Sequence, residues 1–263
     1  MQILPSLQVR NWVRHFLVYH PNGAPRPMRY FSDGSPGIVA PLNNSTLPFL
    51  SKKNKQDGKM MVYGIFDRYV DIEIPPVSGM VIAVLQPYAL TMLTGLSAEL
   101  LNNRIFNFSQ LFPEASAEKR IEAKTDASSV IAEMEDFFCR FHVQLPVQDQ
   151  IMIHCLALIQ ERRGNLRVSD IMKTFPLTER QLERKFNQYI GLTPKRLLGL
   201  LRIANYLKLI RRAEPGNSAL QHALQAGYYD QAHLNNHFKS FTGTTPLSYL
   251  RAADPLALNL YTL

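Results

Sequence analysis

Apolar residues recur with helical spacing over the last third of this chain, and the pattern occurs twice. Val168, Ile171 and Met172 fall on one side of a short segment. Leu182 and Phe186, with Tyr189 or Ile190, fall on one side of the next. A shift of 52 positions carries Val168 onto Leu220, Met172 onto Leu224, Leu182 onto Leu234, Phe186 onto Phe238, Gly191 onto Gly243, Thr193 onto Thr245 and Pro194 onto Pro246. Apolar positions that coincide at a fixed offset mark a duplicated supersecondary unit. The shared string Leu-x3-Phe-x4-Gly-x-Thr-Pro predicts a helix with one buried face, stopped at a glycine and followed by a new helix start.

Local signals divide each copy into two helices. Phe175-Pro176-Leu177 is a turn, because Pro176 cannot extend the preceding helix. Thr178 is an N-cap with Gln181 three residues on, so a helix is expected from Glu179 to Tyr189. In the second copy Leu220, Ala223 and Leu224 predict the first helix, Ala226-Gly227-Tyr228 the turn, and Asp230 the N-cap of a helix from Gln231 to Phe241. Thr193-Pro194 opens a connecting helix of about 18 residues, roughly 27 Å long at 1.5 Å per residue, with Leu198, Leu201, Ile203, Leu207 and Ile210 available to pack on both copies; Pro215-Gly216 ends it. A short helix, a tight turn and a second helix is the helix-turn-helix plan. The outward residues of the second helices suit base edges in a major groove: Arg180, Glu183, Arg184 and Asn187 in the first copy, and Gln231, His233, Asn235, Asn236 and Lys239 in the second. Arginine matches guanine, Asn and Gln match adenine, and a carboxylate accepts from cytosine. His233 has an alternative role in closing the cap of its own helix.

The first half follows other periods. Trp12, Val13, Phe16 and Leu17 have helix-like spacing. Asp33-Gly34 is a hairpin-type signal, followed by the apolar run Ile38–Leu42. The stretch 50–59 is Lys-rich and polar and predicts an exposed loop. Met60–Phe66, Val70–Ile74 and Gly79–Leu85 predict strands, with Asp67-Arg68 as a turn and Pro75-Pro76 as a stop. Asp71 and Glu73 alternate with Val70, Ile72 and Ile74, as on the solvent face of a half-buried strand. Residues 28–86 therefore predict a small antiparallel β unit. Short helices are expected after Pro87, at Ser97–Leu101 and around Ile105–Phe108. A longer amphipathic helix is expected over Asp126–Phe141, and another from Pro146 to Arg163, stopped by Gly164.

Charge sharpens this division. Residues 1–150 hold 14 Lys/Arg against 14 Asp/Glu, and residues 151–263 hold 15 against 7, so the whole excess of +8 lies with the duplicated unit. This places a polyanion-facing half beside a neutral one. No P-loop, G-x-S-x-G, G-x-G-x-x-G, H-E-x-x-H or paired C-x-x-C is present, so no catalytic residue, cofactor or metal site is expected. His15, His20, His142 and His154 are too scattered for a ligand set. Cys139 and Cys155 are expected as small buried residues rather than redox or catalytic groups. With no run of 18 apolar residues and no signal-peptide pattern, a cytoplasmic protein without a membrane span is expected.

The run Ala226-Gly-Tyr-Tyr-Asp-Gln-Ala-His-Leu-Asn-Asn-His-Phe-Lys-Ser-Phe-Thr-Gly-Thr-Thr-Pro-Leu-Ser-Tyr249 resembles the C-terminal signature of AraC/XylS-type transcription regulators. Leu177-Thr-Glu-Arg-Gln-Leu-Glu-Arg-Lys-Phe-x4-Gly-Leu-Thr-Pro resembles the family's first motif. The resemblance covers about residues 148–252. It implies a seven-helix domain with two helix-turn-helix units, about 167–190 and 219–242, that bind adjacent major grooves. Base contacts carry over to Arg180, Glu183 and Arg184, then to Gln231, His233, Asn235 and Asn236, with Lys239 a phosphate contact. Many relatives have Arg where this chain has Asn236, and glycine near the place of Pro176. The first half is similar to a β-rich sensory half found in some family members, through DGSPGIV and the stretch Leu85–Leu101, and that likeness names no ligand.

The expectation is an α+β chain. Residues 1–145 form a β-rich sensor or dimerisation domain with short helices. Residues 146–263 form an all-α DNA-binding domain, its two units joined by the long helix. The partners are double-stranded DNA, with RNA polymerase, a small-molecule effector and a second copy of the chain as candidates. The alternative is a repair-type enzyme delivered by the same DNA-binding half, which requires a reactive cysteine in an electropositive pocket.

Overall fold

The computed structural model describes residues 1–20, 26–43, 47, 60–74, 79–113, 116–141, 147–212, 219–252 and 259–263. The expected Lys-rich loop at 50–59, the stops at Pro75-Pro76 and Pro215-Gly216, the helix start at Pro146, and His142 lie outside these residues.

Nine strands are present among them: β1 Gln2–Ile3, β2 Val13–Tyr19, β3 Arg26–Tyr30, β4 Gly37–Pro41, β5 Met61–Tyr63, β6 Val70–Ile74, β7 Met80–Leu85, β8 Ile105–Asn107 and β9 Leu260–Thr262. They form two antiparallel sheets. The larger has the order β1-β2-β7-β4-β5-β8 and the smaller β6-β3-β9. The twelve helices are α1 Ala89–Thr94, α2 Ala98–Leu101, α3 Phe108–Leu111, α4 Ala117–Glu122, α5 Ala127–Cys139, α6 Val147–Glu161, α7 Val168–Thr174, α8 Glu179–Tyr189, α9 Pro194–Arg211, α10 Ala219–Gln225, α11 Gln231–Thr242 and α12 Pro246–Ala252. This is the expected β-rich N-terminal part with short helices and, from α6 to α12, the all-α C-terminal part; β9, beyond it, departs from expectation and joins the smaller sheet.

The larger sheet is buried on both faces, and strand alternation sorts its side chains between two cores. Phe16, Val18, Ile38, Ala40, Val62, Val81, Ala83 and Leu85 join a core shared with the helices, which runs without a break into Leu182, Phe186, Leu197, Phe238 and Tyr249. Tyr19, Val39, Met61 and Met80 face the smaller sheet, where they meet Met28 and Leu260.

Four expectations in this region are corrected. The helix-like spacing of Trp12, Val13, Phe16 and Leu17 belongs largely to β2, which pairs with β7 from Val13↔Leu85 to Tyr19↔Met80. A register shift between Val13 and His15 puts Val13 and Phe16 on the same core although they are three apart, and burial of both faces removes the polar alternation that would have marked a strand. Ile105–Asn107 is a strand on β5 rather than a helical turn, an apolar run too short for its period to decide. Asp33-Gly34 is no hairpin turn, because β3 and β4 belong to different sheets. It is instead a crossover in which Gly34 has φ +83° and the Ser35 N–H donates to Asp33 Oδ1 at 3.2 Å. Cys139 is exposed, while Cys155 is buried.

The last strand returns to the first half of the chain. β9 pairs with β3, Tyr30↔Leu260 and Met28↔Thr262, and completes the smaller sheet.

The buried stripe of α8 offers a direct test of the packing. Phe186 is fully buried, so Phe186→Ala should cost about 3–5 kcal/mol in urea unfolding. Asn187→Ala, on the exposed side of the same helix, should stay within about 0.5 kcal/mol. Equal losses would show that the stripe is misassigned.

Candidate nucleic-acid interface

α8 forms where the sequence places it because its first turn is closed twice. The Thr178 hydroxyl accepts from the Gln181 N–H at 3.3 Å, and Gln181 Oε1 accepts from the Thr178 N–H at 2.9 Å. Leu182, Phe186 and Tyr189 are buried; Arg180, Glu183, Arg184 and Asn187 are exposed. Among the described residues, no carboxylate lies within ion-pair distance of Arg180 or Arg184.

α11 repeats the scheme with a different cap. Asp230 Oδ1 accepts from the His233 N–H at 2.6 Å, and Leu234, Phe238 and Phe241 point inward. Gln231, Asn236 and Lys239 are exposed and Asn235 is half-buried. His233 is exposed, but its ring leans back on Tyr228 at 5.3 Å and its Nδ1 accepts from the Tyr229 N–H at 3.5 Å. The structure thus brings the four expected residues of α8 onto one exposed surface. On α11 it leaves Gln231, Asn236 and Lys239 fully available and His233 partly engaged in its own cap.

α10 departs from expectation. Ala223 is buried, but Leu220 and Leu224 are 43% and 51% exposed. The register held in common by the two copies is Ile171 with Ala223, the small alanine standing where the first copy has a branched side chain.

The strut α9 has its 18 expected residues and packs on both copies. Against α11 it presents Gly199, where a β-carbon would lie 2.8 Å from His237 Nε2. His237 is hydrogen-bonded to the Tyr228 hydroxyl through Nδ1 at 3.0 Å and stacks edge-on with Phe241 at 4.9 Å. Burial, reinforced by the positive Arg202 and by His233 and Arg196, pushes its pKa down to about 4. His15, on β2, is likewise lowered to about 4, chiefly by burial and against the attraction of Asp33.

The N-terminal half holds the rear ends of both exposed helices. Gly191 and Gly243, equivalent in the repeat, have φ +71° and +77°. A β-carbon on Gly191 would lie 2.2 Å from Asn102 Nδ2, and one on Gly243 2.6 Å from the Tyr69 ring. Asn102 donates to the Ile190 carbonyl at 2.8 Å and accepts from the Ile65 N–H at 3.1 Å. At the other junction the Tyr261 hydroxyl donates to the Thr242 carbonyl at 2.9 Å. Arg29, paired in bidentate fashion with Asp71, covers the Tyr69 ring at 4.0 Å. From α9, Arg196 donates to the Asp67 carbonyl and lies over the Phe241 ring at 4.0 Å. Sequence reasoning missed these clamps, since each joins different elements through tertiary contact, Asn102 to Ile190 and Arg196 to Asp67 across 88 and 129 positions. It also missed Tyr229, 86% exposed beside the start of α11, whose signal was an aromatic in a turn with no apolar partner.

Among the described residues no group of three His, Cys, Asp or Glu gathers as a metal site, and no helix is long and apolar enough to cross a membrane. Burial pushes the Cys155 thiol up to about 12, the opposite of an activated nucleophile.

Two exposed recognition-type helices on one duplicated scaffold define a double helix-turn-helix protein. Residues 171–252 match the family model described as a helix-turn-helix domain, and residues 1–107 match a domain of unknown function (DUF6597). An uncharacterized HTH-type transcriptional regulator from Haemophilus influenzae is 25% identical over 99 residues, 38% of this chain and 33% of that protein. The chain therefore spans about a third of the length of this curated relative. Among solved structures, ToxT from Vibrio cholerae is similar at 12% identity, with a TM-score of 0.43 over 90% of this chain and 93% of that one. ToxT bound to an unsaturated fatty acid gives 13% identity and a TM-score of 0.42 over 89% and 90%. Residues 171–252 thus carry a helix-turn-helix domain, which follows a β-rich N-terminal part.

The two lowered histidines make stability pH-dependent. Between pH 6.5 and about 4 the unfolded chain takes up protons on His15 and His237 that the folded chain resists, so folding weakens as pH falls through that window. Thermal unfolding should therefore occur at a lower temperature at pH 5 than at pH 7, and His237→Phe should narrow the difference. An unchanged difference in the variant would remove His237 from the effect.

Proposed function

We propose that this chain is a sequence-specific transcription regulator that lays α8 and α11 in successive major grooves of one DNA face. The observation that carries this is the pairing of matched buried stripes with unmatched exposed faces. Arg180 and Arg184 suit guanine, Glu183 suits cytosine, and Gln231, Asn235 and Asn236 suit adenine. Asn187 and Lys239 lie farther along their helices and suit phosphates, as does the Tyr229 hydroxyl; such contacts set register without reading sequence. His233 reads a base only with the ring face its cap leaves open. The target is two unlike half-sites. RNA polymerase is the further macromolecular partner such a regulator addresses from the cytoplasm.

For the N-terminal half, an apolar cavity between the two sheets favours sensing of a small-molecule effector over a role in oligomerisation alone. A second copy of the chain remains compatible with either role, and sizing the full chain with and without effector separates them.

Selection of bound sites from random DNA supplies the target. On that target Arg184→Ala should weaken binding by about 1–3 kcal/mol and relax one base position. Lys239→Ala should weaken specific and random DNA alike and flatten the salt dependence by about one counterion. If Arg184→Ala lowered both affinities equally, α8 would not be reading bases there.

A further inference from the structure

The cavity between the sheets has a volume of about 150 Å³. Its walls are apolar, with Leu17 and Ile82 from the larger sheet, Ile72 and Leu260 from the smaller, and Met61 and Phe66 beside them. A cavity of about this size bounded by aliphatic and aromatic side chains accommodates a single benzene ring.

Its polar groups gather at one end. His15, Tyr30, Asp33 and Tyr63 line the cavity, and Asp33 acts electrostatically on the other three. The Tyr30 and Tyr63 rings meet edge to face at 6.0 Å and their hydroxyls are hydrogen-bonded. Burial holds both phenols protonated and His15 neutral. Asp33 is already engaged, since Oδ2 accepts from Arg14 at 3.2 Å and Oδ1 from the Ser35 N–H. Among the described residues no Lys or Arg lines the cavity.

We propose that this cavity binds a small, uncharged, single-ring molecule carrying a hydroxyl, with the hydroxyl at the His15–Asp33 end and the ring between the sheets. A carboxylate there would stand against Asp33, while the nearby cations Arg14 and Lys208 lie outside the lining and Arg14 is already paired with Asp33. An ammonium would meet a carboxylate already countered by Arg14, in a site that otherwise strips it of water. A hydroxyl donates to a free lone pair on Asp33 or His15 and accepts from a tyrosine, and it brings no charge to bury.

The proposal rests on reading the N-terminal half as a sensor, and the cavity wall supplies the route to the reader. On β9, Leu260 lines the cavity, and Tyr261, the next residue, is bonded to the last turn of α11 at Thr242. On β3, Tyr30 lines the cavity, and Arg29, the residue before it, reaches the Tyr261 hydroxyl at 3.5 Å. A ligand that moves either strand moves the rear end of the second reading helix.

The test uses the full chain and three probes with one skeleton, 4-methylphenol, 4-methylbenzoate and 4-methylbenzylamine, titrated calorimetrically at pH 7. The phenol should bind at least tenfold more tightly than either charged analogue. Ile82→Trp, which fills the cavity from the centre of the larger sheet, should abolish that binding; Ile72→Trp does the same from the opposite sheet if the first variant does not fold. Phenol binding that is absent, that is no tighter than that of a charged analogue, or that survives a filled cavity in a folded variant overturns the proposal. DNA affinity for a selected site, measured with and without the phenol, reports separately on sensing. Binding of the phenol with unchanged DNA affinity leaves the site established and removes the sensor reading.

Discussion

Gly191 and Gly243 end the two exposed helices in the left-handed region, and at both the N-terminal half approaches more closely than any β-carbon would permit. Much of the interdomain arrangement depends on these two junctions. A glycine is needed twice over at each, for the backbone conformation that stops the helix and for the room that admits Asn102 in one case and Tyr69 with Arg29 in the other. The recurrence that first looks like a folding signal is thus also a docking surface. It fixes the rear ends of the readers while their outward faces stay open to solvent.

The parts of the fold legible in the sequence are those whose signals are local. α8 runs over its expected residues because a Thr-Gln capping box and a stripe of Leu182, Phe186 and Tyr189 act within a few turns. β6 and β7 were readable from alternation or from a plain apolar run between breakers. β2 was not, because burial of both faces and a register shift leave apolar residues at helical intervals. β9 was not, because three residues carry too little pattern and their partner strand lies about 230 positions away. α10 was misjudged in its face, since Leu220 and Leu224 match the first copy in type but not in burial, and only Ala223 keeps the shared position. The exposed positions of the readers followed from the period of their buried ones. The cavity did not, because alternation tells which residues share a face and not whether the opposing sheet fills the space.

Charge divides by use as well as by number. In the N-terminal half several arginines are paired, Arg14 with Asp33, Arg29 with Asp71, and Arg120 with Glu133 and Asp136. On α8 Arg180 and Arg184 meet no carboxylate among the described residues, so they remain solvated and available for a polyanion. The excess of +8 lies in the half of the chain that carries these two arginines, where counterion release can drive association with a polyanion.

A single core runs from the larger sheet through α8 and α9 into α11 and α12. The two reading heads are consequently parts of one packed body rather than modules on a tether. Under the proposed function, binding of the first head would fix the position and orientation of the second, so the entropy of bringing it to its half-site would be met largely on folding. The same rigidity forbids adjustment: a target whose half-sites differ from the built spacing must itself be twisted or bent, at an energy set by its sequence. Under that reading, spacing would be recognised alongside the bases. The clamps at Gly191 and Gly243, which fix the rear of each head, are where a change in the N-terminal half would alter it.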